Sequence, residues 1–158
     1  MTELSHEHAE SIHVDRTPTE VYDLVSDVTR TGEWSPVCTG CEWDEGDGPA
    51  VGAHFTGTNE VPGRTWQTRS TVMTADPGRD FSWEVGDGLV RWGYQVEPDG
   101  DGSKLTESWE FCEAGLQFFV EKYGDEAQEQ IADRTRAAHQ GIPVTLAAIK
   151  QVAEQQPR

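Results

Sequence analysis

Hydrophobic and polar residues alternate over most of positions 7 to 111, and this pattern predicts strands joined by tight turns. Ile12 and Val14 alternate with polar neighbours in a first strand over about residues 7–15. The segment Thr17–Glu20 then has the form of a helix start, with a capping threonine, a proline at the first helical position and a glutamate three residues after the cap. A second, short helix ends before Pro36, because proline forces the preceding residue out of the helical conformation.

Six further alternating segments follow, and turns rich in glycine, proline and aspartate separate them, including the turn Gly46–Pro49. The segments cover about residues 37–45, 52–60 and 64–75 and the stretches that contain Trp83, Tyr94 and Trp109. Consecutive strands with such short connections form an antiparallel meander.

After Gly115 the hydrophobic period changes to that of a helix. Phe119, Ile131 and Leu146 belong to this pattern, which predicts one long C-terminal helix. Gly141–Pro143 interrupts the pattern. Since a proline inside a helix loses a hydrogen bond and clashes with the preceding turn, we expect a kink or a break there.

The six tryptophans are spread over one turn and five predicted strands, as Trp34, Trp43, Trp66, Trp83, Trp92 and Trp109. Those in strands are in register with apolar residues two positions away, and so we expect them to face the buried side of one sheet. Arg69 and Arg91 alternate with this face and are expected to pair with carboxylates on the solvent side.

The order of these elements resembles the START/Bet v 1-like helix-grip superfamily, also called SRPBCC or polyketide cyclase/dehydrase-like. The passages that support the resemblance are the opening helix Thr17–Asp27 with its P-x-x-V-(F/W/Y)-x-x-(L/V)-x-D pattern, Glu33–Pro36 with Val51–Phe55, and Leu105–Glu110 before the long helix. The resemblance covers about residues 7–155 and implies a single α+β domain over residues 1–158. In this fold a curved antiparallel sheet of about seven strands wraps around a long C-terminal helix, with two short helices after the first strand.

The resemblance also implies a small apolar ligand, since members of the superfamily bind or transform lipids, steroids, polyketides and plant hormones. Cavities lined by aromatic side chains with a few polar groups are the usual form of such sites. The expected lining residues are Phe55, Asn59, Trp66, Thr68, Ser70, Trp83, Trp92, Tyr94, Trp109 and Phe119. The alternative is that the aromatic side chains only fill the core.

Glu107 shares the predicted inner face with Leu105 and Trp109. A carboxylate among apolar neighbours loses hydration, and so it either finds a hydrogen-bond donor or keeps its proton with a raised pKa. A carboxyl group with a raised pKa is a candidate general acid or base, with Tyr94 or Asn59 polarising a substrate carbonyl. The alternative is a structural glutamate that bonds to a buried side chain or is turned outward by a strand bulge.

Cys38 and Cys41 form a C-x-x-C motif, and Cys112 is the third cysteine. An odd count argues against a disulfide framework, and a zinc site needs a second pair of ligands at matching spacing, which the sequence lacks outside its N-terminal segment. Residues three apart in a strand point to opposite faces, and a thioredoxin-type pair begins a helix. We therefore expect no metal, no cofactor and no redox function here.

Acidic residues outnumber basic ones by 29 to 12, for a net charge of −17. Such a charge repels nucleic acid and anionic membranes, which bind through lysine and arginine. The chain has no N-terminal signal pattern and no apolar run of ~18 residues, and so we expect a cytoplasmic protein without membrane insertion. The sequence leaves both a monomer and a homodimer open.

Three functions follow from these observations. The first is a binding protein for a small hydrophobic or aromatic molecule, held between the sheet and the C-terminal helix. The second is a polyketide cyclase/dehydrase-like enzyme that uses the same cavity, and the third is a protein-interaction module that uses the acidic exterior. Binding is favoured because the sequence shows no catalytic constellation beyond Glu107, and the question of catalysis stays open.

Overall fold

The computed structural model describes residues 5–46 and 48–157. Within these ranges the chain forms seven strands, which are β1 (Glu7–Val14), β2 (Cys38–Trp43), β3 (His54–Val61), β4 (Arg64–Asp76), β5 (Asp80–Val85), β6 (Val90–Asp99) and β7 (Gly102–Phe111). They pair antiparallel in one sheet of order β1-β7-β6-β5-β4-β3-β2. The meander from β2 to β7 confirms the prediction, and β1 pairs with β7. In the predicted turn Gly46–Pro49, Asp47 lies outside the described residues.

The helices of the described chain are α1 (Pro18–Val25), a 3-10 helix (Val28–Glu33), α2 (Glu113–Tyr123), a 3-10 turn (Gly124–Glu126) and α3 (Ala127–Gln155). Helix α1 begins as predicted. The Thr17 hydroxyl accepts from the backbone N–H of Glu20, and the Glu20 carboxylate accepts from the backbone N–H of Thr17, both at 3.2 Å. The architecture is the α+β helix-grip fold with a curved sheet and a long C-terminal helical region.

Helix α3 packs along β1 and β7 and also touches α1. Ala138, Ile142, Leu146 and Ile149 form its buried stripe. The end of α3 is held by Arg16, which follows β1 and is 8% exposed. One guanidinium nitrogen of Arg16 donates to the Glu154 carbonyl at 2.7 Å and to the Gln156 carbonyl at 3.0 Å, where a helix has carbonyls without intrahelical partners.

We predicted a kink or a break at Gly141–Pro143; the C-terminal helical region is interrupted at Gly124, and no break occurs at Gly141–Pro143. Gly124 has a φ of +55° and a ψ of −119°, a conformation that favours glycine and ends α2, and helix α3 runs through Pro143 without a break. The helix continues because Pro143 is exposed while Ile142 and Leu146, on either side of it, are buried. Full burial of such side chains contributes roughly 1.5–3 kcal/mol each, which offsets the roughly 3 kcal/mol cost of a proline in a helix.

Across residues 5–46 and 48–157, none of the helices has the length and apolar character that crossing a membrane requires.

Candidate functional site

The inner face of the sheet carries aromatic side chains on each strand from β2 to β7. The register aligns Trp83, Trp92 and Trp109 side by side on β5, β6 and β7. Trp109 is buried, while Trp83 and Trp92 are half-buried and pack against the core. Trp43 packs there as well, and so four of the five strand tryptophans lie against the core as predicted.

These rings form two groups. The central group contains Trp43, Phe55, Phe81, Trp83 and Tyr94, with ring centroids 5.5–5.9 Å apart between contacting neighbours. The second group joins Trp92, Trp109, Phe111 and Phe119 by contacts of 5.1–6.4 Å and reaches from the sheet to α2.

Trp66 stands apart from both groups, and the guanidinium of Arg64 lies over its ring, 4.2 Å from the centroid. Arg69 and Arg91 pair as predicted with carboxylates, namely Asp44 at 2.8 Å and Glu84 at 3.1 Å.

Glu107 and Tyr94 lie opposite each other on β7 and β6, next to both groups. Glu107 is 4% exposed, and its Oε1 has no hydrogen-bond partner in the described part of the chain. The Trp34 indole also faces Tyr94, but its buried Nε1 makes no hydrogen bond of good geometry to any described residue. Two buried polar atoms without partners therefore flank the same tyrosine hydroxyl.

Burial raises the pKa of Glu107 to about 8, and the Tyr94 hydroxyl opposes part of this rise. Burial also raises the pKa of Tyr94 well above its ordinary value, and the charge of Glu107 adds to that effect. The Glu107 carboxyl is therefore mostly protonated at pH 7 and can donate as well as accept a hydrogen bond.

The other predicted polar residues lie further along the sheet. The Asn59 amide donates to the Thr68 hydroxyl at 3.2 Å, and so these two side chains satisfy each other. Ser70 is buried between Phe55 and Val85 in the register. Of the two residues expected to assist Glu107, the structure brings Tyr94 to it as a direct cross-strand partner, whereas Asn59 pairs with Trp66.

Sequence reasoning missed several residues around this site. Trp34 was assigned to a turn, yet it is buried, and its place before a serine and a proline gives no signal of that. His8 stacks on His139 with ring centroids 4.1 Å apart, a contact that no local sequence pattern indicates. His139 in turn meets the face of Trp109 at 6.0 Å.

The expectation that Cys38 and Cys41 point to opposite faces is wrong. Their sulfurs lie 3.4 Å apart, because the register between β2 and β3 shifts between Cys38 and Gly40. A bulge adds one residue to the strand, and residues three apart then face the same side. Among the described residues there is no group of three or more His, Cys, Asp or Glu side chains placed to hold a metal.

Two open grooves lie on the outer face of the sheet. The first, of about 610 Å³, is lined among others by Ser82 and Ser108, and the second, of about 320 Å³, by Met73 and Ser82. Ser82 and Ser108 alternate with the inner aromatic residues of β5 and β7. Neither groove is the cavity that we expected between the sheet and the helix.

Residues 5–140 match the family described as polyketide cyclase / dehydrase and lipid transport. Among solved structures, the chain is similar to the Polyketide_cyc-like protein Cgl2372 from Corynebacterium glutamicum. The two are 54% identical over 95% of this chain and 92% of that chain, with a TM-score of 0.71. None of the curated proteins matches this chain.

Other solved structures are similar at much lower identity. Protein NE0264 from Nitrosomonas europaea is 13% identical over 98% of this chain and 97% of that chain, with a TM-score of 0.69. The di-domain ARO/CYC StfQ from the steffimycin biosynthetic pathway is 16% identical over 96% of this chain and 51% of that chain, with a TM-score of 0.69. At these identities the likeness shows the shared fold alone.

Proposed function

Because this chain belongs to the polyketide cyclase/dehydrase and lipid transport family, we propose that it binds a small hydrophobic or aromatic molecule between the inner face of its sheet and its C-terminal helix. The proposed lining is the set of inner-face residues predicted from the sequence, with Trp34 added. The apolar part of the ligand would contact the rings around Trp83 and Trp109. Its polar part would meet Tyr94 and Glu107.

The observation that carries this proposal is the pair of buried polar atoms beside Tyr94 without hydrogen-bond partners, Glu107 Oε1 and Trp34 Nε1. A buried polar group without a partner costs about 1–3 kcal/mol, and folded proteins keep few of them. Both the indole N–H and the protonated carboxyl donate. They fit a ligand whose apolar skeleton carries an acceptor oxygen, such as a carbonyl or a hydroxyl group.

The outer grooves fit such a ligand less well. They are open to solvent, and the first is lined by Arg91, Glu110 and Ser108 together with Trp92 and Trp109. An apolar molecule gains free energy in proportion to the apolar area that it removes from water, and a groove that is open to solvent removes less of that area than an enclosed site. The inner face offers more aromatic surface and two unsatisfied donors.

Native mass spectrometry of the freshly purified protein, beside its denatured mass, tests for a retained ligand. Binding of the probe 1-anilinonaphthalene-8-sulfonate then tests the location with two matched variants. Asn59→Phe fills the inner face and Ser82→Phe fills the outer groove, and both positions are half-buried polar residues. We expect Asn59→Phe to weaken probe binding at least about tenfold and Ser82→Phe to leave it unchanged.

If Ser82→Phe weakened probe binding and Asn59→Phe left it unchanged, with both variants folded by circular dichroism, the ligand would lie in the outer groove and the proposal would be overturned. A clean mass together with no saturable probe binding would also count against it.

A second candidate function is catalysis by Glu107, and its pKa of about 8 beside the Tyr94 hydroxyl favours it. In a dehydration, the Glu107 proton would leave with the hydroxyl group of a β-hydroxy ketone as water. The resulting carboxylate would then take the proton from the neighbouring carbon, while Tyr94 polarises the ketone. The same proton transfers would serve an aldol-type closure.

The test substrate is 4-hydroxy-4-phenylbutan-2-one, whose dehydration product absorbs in the ultraviolet. We expect Glu107→Gln to abolish turnover while ligand affinity stays nearly intact. Equal rates in the wild type and the variant, or no rate above background in either, would count against catalysis by Glu107.

A further inference from the structure

The two thiols of the C-x-x-C motif meet at the edge strand β2. Cys38 Sγ and Cys41 Sγ are 3.4 Å apart, and both cysteines are free. Cys38 is half-buried, whereas Cys41 is only 9% exposed. Cys38 is therefore the more exposed residue of the pair.

The surrounding backbone holds the thiols in this arrangement. Gly57 lies across from Cys41 in the register, and a Cβ atom at Gly57 would come within 3.1 Å of Cys41 Sγ and 3.6 Å of Cys38 Sγ. Gly32 of the 3-10 helix lies so close that a Cβ there would be 2.5 Å from the Thr39 carbonyl oxygen. Both glycines leave room for the bulge, which places the two sulfurs on one side.

We propose that Cys38 and Cys41 are a site of reversible thiol oxidation, at which a hydroperoxide closes an intramolecular disulfide. A disulfide has an S–S length of about 2.05 Å, so the two sulfurs need to approach by roughly 1.4 Å. This inference does not rest on the proposed ligand-binding function.

The reaction has two steps. The Cys38 thiolate attacks one peroxide oxygen and the O–O bond breaks, which gives a sulfenic acid on Cys38 and releases water or an alcohol after protonation. The Cys41 sulfur then attacks the Cys38 sulfur, the S–O bond breaks, and the hydroxyl leaves with the Cys41 proton as a second water. The two thiols lose two electrons and two protons, and the peroxide is reduced.

The two cysteines differ in the way that this order of steps requires. The neighbouring Cys41 thiol lowers the pKa of Cys38, which favours its thiolate. The Cys38 thiol and burial both raise the pKa of Cys41, which keeps its proton until it resolves the sulfenic acid. The greater exposure of Cys38 and the direction of its pKa shift therefore both favour Cys38 as the attacking thiol.

Trypsin separates the relevant cysteines, since Thr31–Arg64 holds both Cys38 and Cys41 and Leu105–Lys122 holds Cys112. The reduced, full-length protein is treated with one equivalent of hydrogen peroxide, alkylated under denaturing conditions and digested. We expect Thr31–Arg64 to become two hydrogen atoms lighter and to resist alkylation. A phosphine reductant should restore both alkylation sites, and Leu105–Lys122 should stay alkylated throughout.

Three variants make the test specific. Cys112→Ser should behave as the wild type, and Cys41→Ser should stop at a sulfenic acid on Cys38 that dimedone traps. Cys38→Ser should leave Cys41 as an alkylatable thiol. The proposal is overturned by equal oxidation of Cys112, by disulfides between chains, or by two alkylatable thiols in Thr31–Arg64 when dithiothreitol under the same conditions has been oxidised.

Discussion

The carboxyl group of Glu107 lies beside the hydroxyl group of Tyr94, its direct cross-strand partner in the sheet. Both side chains are buried, with 4% of each exposed, and so the carboxyl group loses most of its hydration. Burial favours the neutral carboxyl, while the tyrosine O–H favours the carboxylate. The balance leaves the pKa of Glu107 at about 8, close enough to neutrality for the group to take either form.

The first prediction concerns stability and pH. The pKa of Glu107 is raised from 4.5 to about 8 in the folded protein, and so the folded state binds more protons than the unfolded state between these values. The free energy of unfolding should therefore fall as pH rises through this window, by roughly 5 kcal/mol in total from this group. Glu107→Gln should remove that slope, as measured by urea unfolding from pH 5 to pH 9.

The matched control is Glu110→Gln, which changes an exposed glutamate on the same strand. Its pH profile should run parallel to that of the wild type. If the pH profile of Glu107→Gln also ran parallel to that of the wild type, Glu107 would have an ordinary pKa in the folded protein. Its role as a neutral hydrogen-bond donor would then be excluded.

The second prediction concerns Tyr94, the cross-strand partner of Glu107. Since the Tyr94 hydroxyl lowers the pKa of Glu107, Tyr94→Phe should raise it further. The pH at which stability stops falling should then move upward, and the carboxyl carbon resonance of Glu107 should titrate at higher pH in carbon NMR. A resonance that titrates at the same or a lower pH would show that the hydroxyl does not stabilise the carboxylate.

The position of Glu107 could be predicted from the sequence because strand alternation is a property of the backbone. A side chain two residues from Leu105 and from Trp109 has to face the same way, and the pattern therefore indicated a buried carboxyl group. The strands, the helices and their order could be predicted for the same reason, since alternation, turns and the change to a helical period are local signals, while the helix-grip architecture was implied by the family resemblance of that order.

The rest of the site depends on non-local packing. Trp34 follows a 3-10 helix and becomes buried only because the chain places it beside Tyr94 on β6. The bulge that unites Cys38 and Cys41 depends on the register with β3 and on the missing side chain of Gly57, which is 16 residues from Cys41 in sequence. The sequence of β2 alone indicates neither the register with β3 nor the missing side chain at Gly57.

The third prediction concerns the end of α3. Arg16 donates to carbonyls at that end and is nearly buried, so a shorter cation cannot reach the same acceptors with the same geometry. Arg16→Lys should lower the free energy of unfolding by about 1–3 kcal/mol. Arg136→Lys is the control, because Arg136 forms an exposed pair with Asp133 whose loss should cost less than about 0.5 kcal/mol.

Thermal unfolding followed by circular dichroism distinguishes the two variants. Equal melting temperatures for Arg16→Lys and Arg136→Lys would show that the guanidinium of Arg16 does not hold the end of the helix.

The fourth prediction compares two helical glycines that the structure places in opposite surroundings. A Cβ atom at Gly115 would lie 2.2 Å from the carbonyl oxygen of Leu89, which is backbone and cannot move aside. A Cβ atom at Gly141 would meet only Pro36 Cγ at 3.8 Å, an ordinary contact. Alanine is the better helix former at both positions, so any difference between the two variants reports the contact with the rest of the protein.

Gly115→Ala should therefore destabilise the protein by about 1–3 kcal/mol, because α2 has to shift away from the turn that contains Leu89. Gly141→Ala should stabilise it by about 0.5–1 kcal/mol, because the unfolded chain loses freedom and the helix gains a better former. Urea unfolding measures both changes. A loss of stability in Gly141→Ala would mean that α3 approaches Pro36 more closely than 3.8 Å, and a gain in Gly115→Ala would mean that α2 does not rest on Leu89.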